Sequence, residues 1–246
     1  MTTLQPSAII EYLQDNRPVL GWILDVQSSR SRILNIHQRE VKLNSNRIMP
    51  WIGPVYHSGY SRQEILDLLH RHESARSELT EEIDPLEIWE MAQGEMQTAS
   101  PDWFAGLFWN DPQIDQVSAL GRKLLRSKTH FKFNPPFFEI YPLEKVEKLL
   151  EDQRINEERE RLAAHGQTLL RALWEKHSHG RTFDCETPPD IQDKIRELLL
   201  AVVADPEAGE YDPLWKKLTT SLSRSVDRYN DEHRHFDRLP FSKEMI

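Results

Sequence analysis

A single cysteine, Cys185, in 246 residues rules out an intramolecular disulfide and any thiolate zinc site built within one chain. A long apolar run is also missing. The longest, residues 18–26, is interrupted by Asp25 and is too short to cross a bilayer. The N-terminus lacks a basic-then-apolar signal pattern, so a cytoplasmic protein without a membrane partner is expected. The chain has no glycine-rich phosphate loop, no Gly-x-Ser-x-Gly elbow and no His-Glu-x-x-His pair. Asp227, Asp231 and Asp237 are spaced too loosely for the tight aspartate cluster that holds magnesium for phosphodiester cleavage. No catalytic centre, metal site or cofactor is therefore expected within this chain.

What is present suits a soluble globular protein made of modules. The length exceeds one ordinary domain, so two or three compact units in series are expected. Seven Trp and nine Phe supply the bulk for several small cores. A net charge of −9 argues against a uniformly positive surface, and the position of each cation then matters more than the sum.

From residue 9 to 51, short β-prone runs alternate with turn chemistry. Strands are predicted over 9–13, 18–26, 31–36, 40–43 and 47–51, separated by Asp15-Asn16, Ser28-Ser29, His37-Gln38 and Asn44-Ser45-Asn46. Five strands in so short a span predict a small SH3-like β-barrel over 7–54, with 18–26 as its most buried strand. Ile65, Leu68, Leu69 and His72 then fall in helical phase after Ser61. Asp84-Pro85, Ser100-Pro101 and Asp111-Pro112 each read as an N-cap followed by a first-turn proline, opening three short helices. Trp89, Trp103, Phe104 and Phe108 are read as their core rather than as a cofactor box. Phe131-Lys132-Phe133, a turn at Asn134-Pro135-Pro136 and Phe137-Phe138-Glu139-Ile140 predict a hairpin. Helices plus hairpin describe a winged helix over 60–142.

A long charged helix is expected over 143–178, with Leu143, Val146 and Leu150 on one side and a bend at Gly166. Two further helices, 190–203 and 213–222, form a partial, second winged-helix-like module within 188–246 that lacks an evident third partner. Its polar tail from Ser223 is read as disordered. The fold class is thus α+β.

The sharpest local signal is a basic run: Arg122, Lys123, Arg126, Lys128, His130 and Lys132, with no acid from Ser118 to Asn134. On a recognition helix and wing such a run would meet phosphates, with Phe131 and Phe133 offering stacking surfaces for single-stranded bases. The same cations would also complement a helix dipole. A second set, Arg30, Arg32, Arg39, Lys42 and Arg47, lies on the barrel, where it would bind an oligonucleotide or simply keep strand edges soluble. The pairs His70/His72, His177/His179 and His233/His235 diverge at their i, i+2 spacing and are read as inert towards metals, and Cys185 as an ordinary thiol.

The order of parts resembles a known family. Val19-Leu20-Gly21-Trp22-Ile23-Leu24, Arg39-Glu40-Val41-Lys42-Leu43 and Arg47-Ile48 resemble the start of certain bacterial and organellar ribonuclease II-type proteins. Asp84-Pro85-Leu86-Glu87-Ile88-Trp89-Glu90, Trp103-Phe104-Ala105, Phe131-Lys132-Phe133 and Phe138-Glu139-Ile140-Tyr141-Pro142 are similar to the winged-helix portion of that subgroup. The resemblance covers about 9–174 and, more faintly, 191–218.

It implies a non-catalytic, RNA-engaging region of a 3′→5′ exoribonuclease, with single-stranded RNA as partner. Magnesium is expected only in a catalytic domain absent from this chain, because none of that domain's aspartates has a counterpart before Ile246. Such a domain in cis, or a protein partner, is the other expected contact. The alternatives are a protein-docking scaffold and a DNA-binding regulator, the latter resting on the winged helix alone.

Overall fold

The computed structural model describes residues 4–180, 187–205 and 213–220, with side chains of a few helical residues excepted. It is a mixed α+β protein whose residues 1–149 and 150–246 form two compact units. Cys185, His233, His235, the three loosely spaced aspartates and the tail from Ser223 lie outside the described residues, as do the side chains of His177 and His179.

In the first unit, strands β1 (Ile9–Gln14), β2 (Arg17–Gln27), β3 (Arg30–Asn35) and β4 (Glu40–Asn44) form an antiparallel sheet in sequence order. The turns set the register. Asp15 and Asn16 both take positive φ between Gln14 and its partner Arg17, the two-residue connection whose twist matches the flanking strands. At the β3–β4 corner Asn35 Oδ1 accepts from the Arg39 amide at 2.9 Å, while Gln38 turns with φ 63.

β2 is buried from Val19 to Ile23 because apolar groups cover both faces. Val19 and Ile23 join Ile10, Tyr12 and Ile33 on one side. Leu20 and Trp22 meet Ile65, Leu68 and Leu69 of α1 (Arg62–Glu82) on the other. A strand covered twice reads as a continuous apolar run rather than an alternating one.

The predicted fifth strand is absent. Residues 45–47 form a 3₁₀ turn, and the chain then returns alongside β1 through isolated pairings, Tyr12 with Ile48 and Ala8 with Val55. Pro50 brings no N–H to a ladder and Gly53, at φ 130, bends the segment, so pairing is broken into single bonds such as Met49 N to Glu11 O.

α1 opens on a capping box in which Ser61 Oγ accepts from the Glu64 amide and Glu64 Oε2 from that of Ser61. α2 (Pro85–Ala92) and α3 (Pro101–Phe108) start as expected, on Asp84 and Ser100 with a first-turn proline. α4 (Ile114–Arg126) does not. Its cap is Gln113, whose amide donates to Gln116 Oε1, and Asp111-Pro112 belongs to the preceding turn. β6 (Phe131–Asn134) and β7 (Phe137–Ile140) form the expected hairpin, joined by a strand too short to read from sequence, β5 (Thr98–Ala99), which pairs with β7. Phe104 and Trp89 fill the core with Phe131, Phe138, Leu120 and Leu124, whereas Trp103 is only partly buried and Phe108 reaches the surface.

α5 (Leu143–His179) runs through Gly166 as one continuous helix. Val146 is buried, but Leu143 and Leu150 are exposed, so the predicted stripe is not a packed face. In the second unit α6 (Pro189–Ala204) and α7 (Pro213–Thr219) do have a third partner, the later part of α5. Leu170 and Trp174 pack with Ile191, Ile195, Leu199, Val202, Trp215 and Leu218. Among the described residues no helix is long and apolar enough to cross a membrane.

Candidate nucleic-acid interface

The most unusual chemistry of the first unit is inside it. Glu11 lies in the middle of β1 and is fully buried, as is Arg76 of α1, while Arg122 of α4 is 3% exposed. Glu11 Oε2 accepts from Arg76 Nη1 at 3.1 Å and from Ser118 Oγ at 2.9 Å, and Oε1 accepts from Arg122 Nε at 3.0 Å. Arg122 gives its two terminal nitrogens to Glu73 of α1, a bidentate pair at 3.0 and 2.6 Å. Arg76 also donates to Asp115 Oδ1 at 2.8 Å and to the Gly53 carbonyl at 2.9 Å. The chain of contacts ends at His72, held between Asp115 Oδ2 and the Tyr56 hydroxyl, each at 2.7 Å. One network therefore ties sheet, α1, α4 and the 48–55 segment together.

Burial works against charge in this network, and the partners overcome it. Burial would raise the Asp115 carboxyl, but hydrogen bonds from His72 and Arg76, with the Arg76 charge, hold it below the usual carboxylate range. Burial likewise disfavours the charged Arg122, yet Glu73 and Glu11 lift its pKa above the ordinary guanidinium value. A depressed carboxyl contributes stability that is complete above its unfolded value of about 3.9 and is lost as pH falls through the folded one. Asp115→Asn should lower the urea midpoint at neutral pH, with wild-type and variant midpoints converging below about pH 4. Curves that stay parallel down to about pH 2 would contradict this assignment.

These facts correct the basic run. Arg122 is not available to a phosphate, because two carboxylates already occupy its guanidinium in the interior. His130, 9% exposed, is pushed below its ordinary value mainly by burial, against a smaller opposing effect of Asp84, and is no cation at neutral pH. Lys123 is half-buried.

Arg126, Lys128 and Lys132 are exposed and do converge. They line a groove of about 680 Å³ whose one wall is Leu13, Asn16 and Pro18 of the first hairpin and whose other is the end of α4 with Phe131, Phe133 and Tyr141. Among the described residues Arg126 pairs with the open carboxylate of Glu81, at 3.4 Å, an interaction that solvent makes weak. Arg122 also lines this groove, so the network behind it spans both walls and fixes their separation.

The cations of the four-stranded sheet lie elsewhere. Arg30, Arg32 and Lys42 share an exposed face where Arg32 pairs with Asp25 and Lys42 across the ladder. Ser45, which begins the turn carrying Arg47, bonds the Ser29 carbonyl at that same end. Pro18 and Gln27 sit at opposite ends of β2, roughly 30 Å of extended strand apart. The cations expected to bind nucleic acid are thus two separate sets plus buried Arg122 and half-buried Lys123. Glu40 further offsets Arg32 at 3.7 Å.

No protein-family model, curated protein or solved structure matches the chain. Among the described residues no group of three or more His, Cys, Asp or Glu is placed to hold a metal ion. In the buried network the reason is visible: Glu11, Glu73 and Asp115 each face an arginine.

Proposed function

We propose that this chain is the RNA-engaging, non-catalytic region of a ribonuclease II-type 3′→5′ exoribonuclease, with an SH3-like barrel and a winged helix as its first two modules. The observation that carries the reading is the groove lined by exposed Arg126, Lys128 and Lys132 together with half-buried Phe133, the expected second stacking ring, Phe131, being only 2% exposed. Single strands are bound in this way, cations following the backbone and ring faces receiving bases. A second feature guides the strand there. From Ser77 to Gly121 the sequence has ten acids and no Lys or Arg, so the helical surface beyond the groove repels phosphates.

The test is a titration of the whole chain with labelled single-stranded RNA at two salt concentrations in the presence of magnesium, followed by a gel of the RNA. Binding that weakens with salt and leaves the RNA intact is the expected result. Replacing Arg126, Lys128 and Lys132 together by alanine should reduce the salt slope by about 2, since each phosphate contact on a single strand contributes about 0.7. An unchanged slope removes the groove from consideration, and shortening of the RNA from its 3′ end would mean that the chain is itself a nuclease.

The acid-only stretch supports one other reading. Leu86 and Met91 are exposed beside Glu87 and Glu90 on α2, a surface suited to a protein partner. Co-purification with a protein and no affinity for RNA would favour that docking role.

A further inference from the structure

The groove holds its cations in the open but offers bases little ring surface. Phe131 is buried, and half-buried Phe133 packs on Trp51 and Phe138 with ring centroids 6.3 and 4.8 Å away. Among the described residues only two Phe, Trp or Tyr rings are exposed, Phe108 and Phe137. Phe108 meets Trp109 edge to face, centroids 5.0 Å apart, and stands in the stretch that carries acids without Lys or Arg. Phe137 is 47% exposed and contacts no other ring among the described residues. Threonine would suit an exposed strand equally well, so strand formation alone does not call for a phenyl ring there.

The register of the β6–β7 hairpin fixes its surroundings. Phe131 lies opposite Ile140 and Phe133 opposite Phe138, and these pairs face the core. Side chains alternate between the faces of a strand, so Lys132 opposite Glu139 and Asn134 opposite Phe137 share the outer face. Lys132 is diagonal to Phe137, a separation of about 7–8 Å in an antiparallel pair, and it also lines the groove. The acid of this face is already engaged, Glu139 Oε1 with Lys145 Nζ at 3.6 Å and Oε2 with Asn134 Nδ2 at 3.1 Å. Lys132 pairs with no carboxylate among the described residues. An open ring and an uncommitted cation therefore stand side by side at the rim of the groove.

From this placement we propose that Phe137 is a base-stacking residue: a single strand held by Arg126 and Lys128 crosses Lys132 and lays an unpaired base on the Phe137 ring, outside the groove. The proposal rests on the RNA-engaging reading above. The ring has no donor or acceptor, so it takes any unpaired base, whereas a base inside a duplex has no free face to give it. Groove and wing then divide the work, the groove holding phosphates and the outer face of the hairpin holding a base.

The experiment is fluorescence anisotropy of the whole chain with a labelled single-stranded RNA of mixed sequence, about twelve nucleotides long, and with labelled inorganic polyphosphate, a chain of phosphates without bases. Phe137→Thr should weaken RNA binding about tenfold, the effect of losing one base–ring stack. Its salt slope for RNA should not change, because no phosphate contact is lost, and its affinity for polyphosphate should equal that of the unaltered chain. Phe137→Trp should bind RNA at least as tightly as the unaltered chain. Unchanged RNA affinity in Phe137→Thr, an equal loss for RNA and polyphosphate, or a loss that Phe137→Trp shares overturns the role of Phe137 and leaves the RNA-engaging reading standing. Failure of the unaltered chain to bind the single strand overturns both.

Discussion

Replacing Glu11 by leucine should lower the unfolding free energy of the first unit by about 3–5 kcal/mol, the range found when one partner of a buried ion pair is removed. Leucine fits the apolar strand on either side, so the loss does not come from volume. It comes from Arg76 and Arg122, each left in the interior with part of its charge unanswered, and from Ser118, whose hydroxyl loses its acceptor. Arg126→Ala is the control, because its open pair with Glu81 should contribute less than about 0.5 kcal/mol. Urea unfolding followed by tryptophan fluorescence measures both. A Glu11→Leu midpoint within error of wild type would show that the network is dispensable and that packing alone joins sheet to helices.

The network also separates what one sequence discloses from what it withholds. β1 to β4 are legible because Asp15-Asn16 and Ser28-Ser29 interrupt apolar runs at the spacing that hairpins need, and α1 because Ile65, Leu68 and Leu69 share a helical stripe. The groove cations Arg126, Lys128 and Lys132 are legible through the acid-free stretch that holds them. Arg122 belongs to the same stretch, and nothing local distinguishes it. Its acceptor Glu11 is 111 residues away, and the Arg76–Glu11 pair spans 65. One signal was available: an acid at the centre of an apolar strand demands a buried cation, since an unpaired carboxylate there would cost several kcal/mol (~3–5). That signal says a partner exists without naming it. β5 escaped for a different reason, two residues being too few to show a period. The groove's second wall is likewise a tertiary product, since Asn16 looks from sequence like a turn residue and nothing more.

Glycine gives the sharpest paired test of the packing. Gly121 in α4 and Gly166 in α5 are both helical, and alanine in either place would be favoured by up to about 1 kcal/mol on helix propensity alone. The spaces they face are not equivalent. A Cβ at Gly121 would stand 2.5 Å from the Trp51 ring, with two more of its carbons at 2.7 and 2.8 Å. Trp51 is 1% exposed and packed against Phe133, so the ring cannot turn aside without moving the groove wall. A Cβ at Gly166 would meet Leu218 Cδ2 at 2.5 Å and Ile195 Cδ1 at 2.7 Å, the ends of side chains that can change rotamer. Gly121→Ala should therefore destabilise the first unit by about 1–3 kcal/mol, the usual cost of overpacking, while Gly166→Ala stays within about 1 kcal/mol of wild type. Thermal unfolding of the two variants side by side decides it. Equal and small shifts would mean that α4 is free to move away from Trp51, and that the groove wall formed by Phe133 is not held at a fixed distance from it.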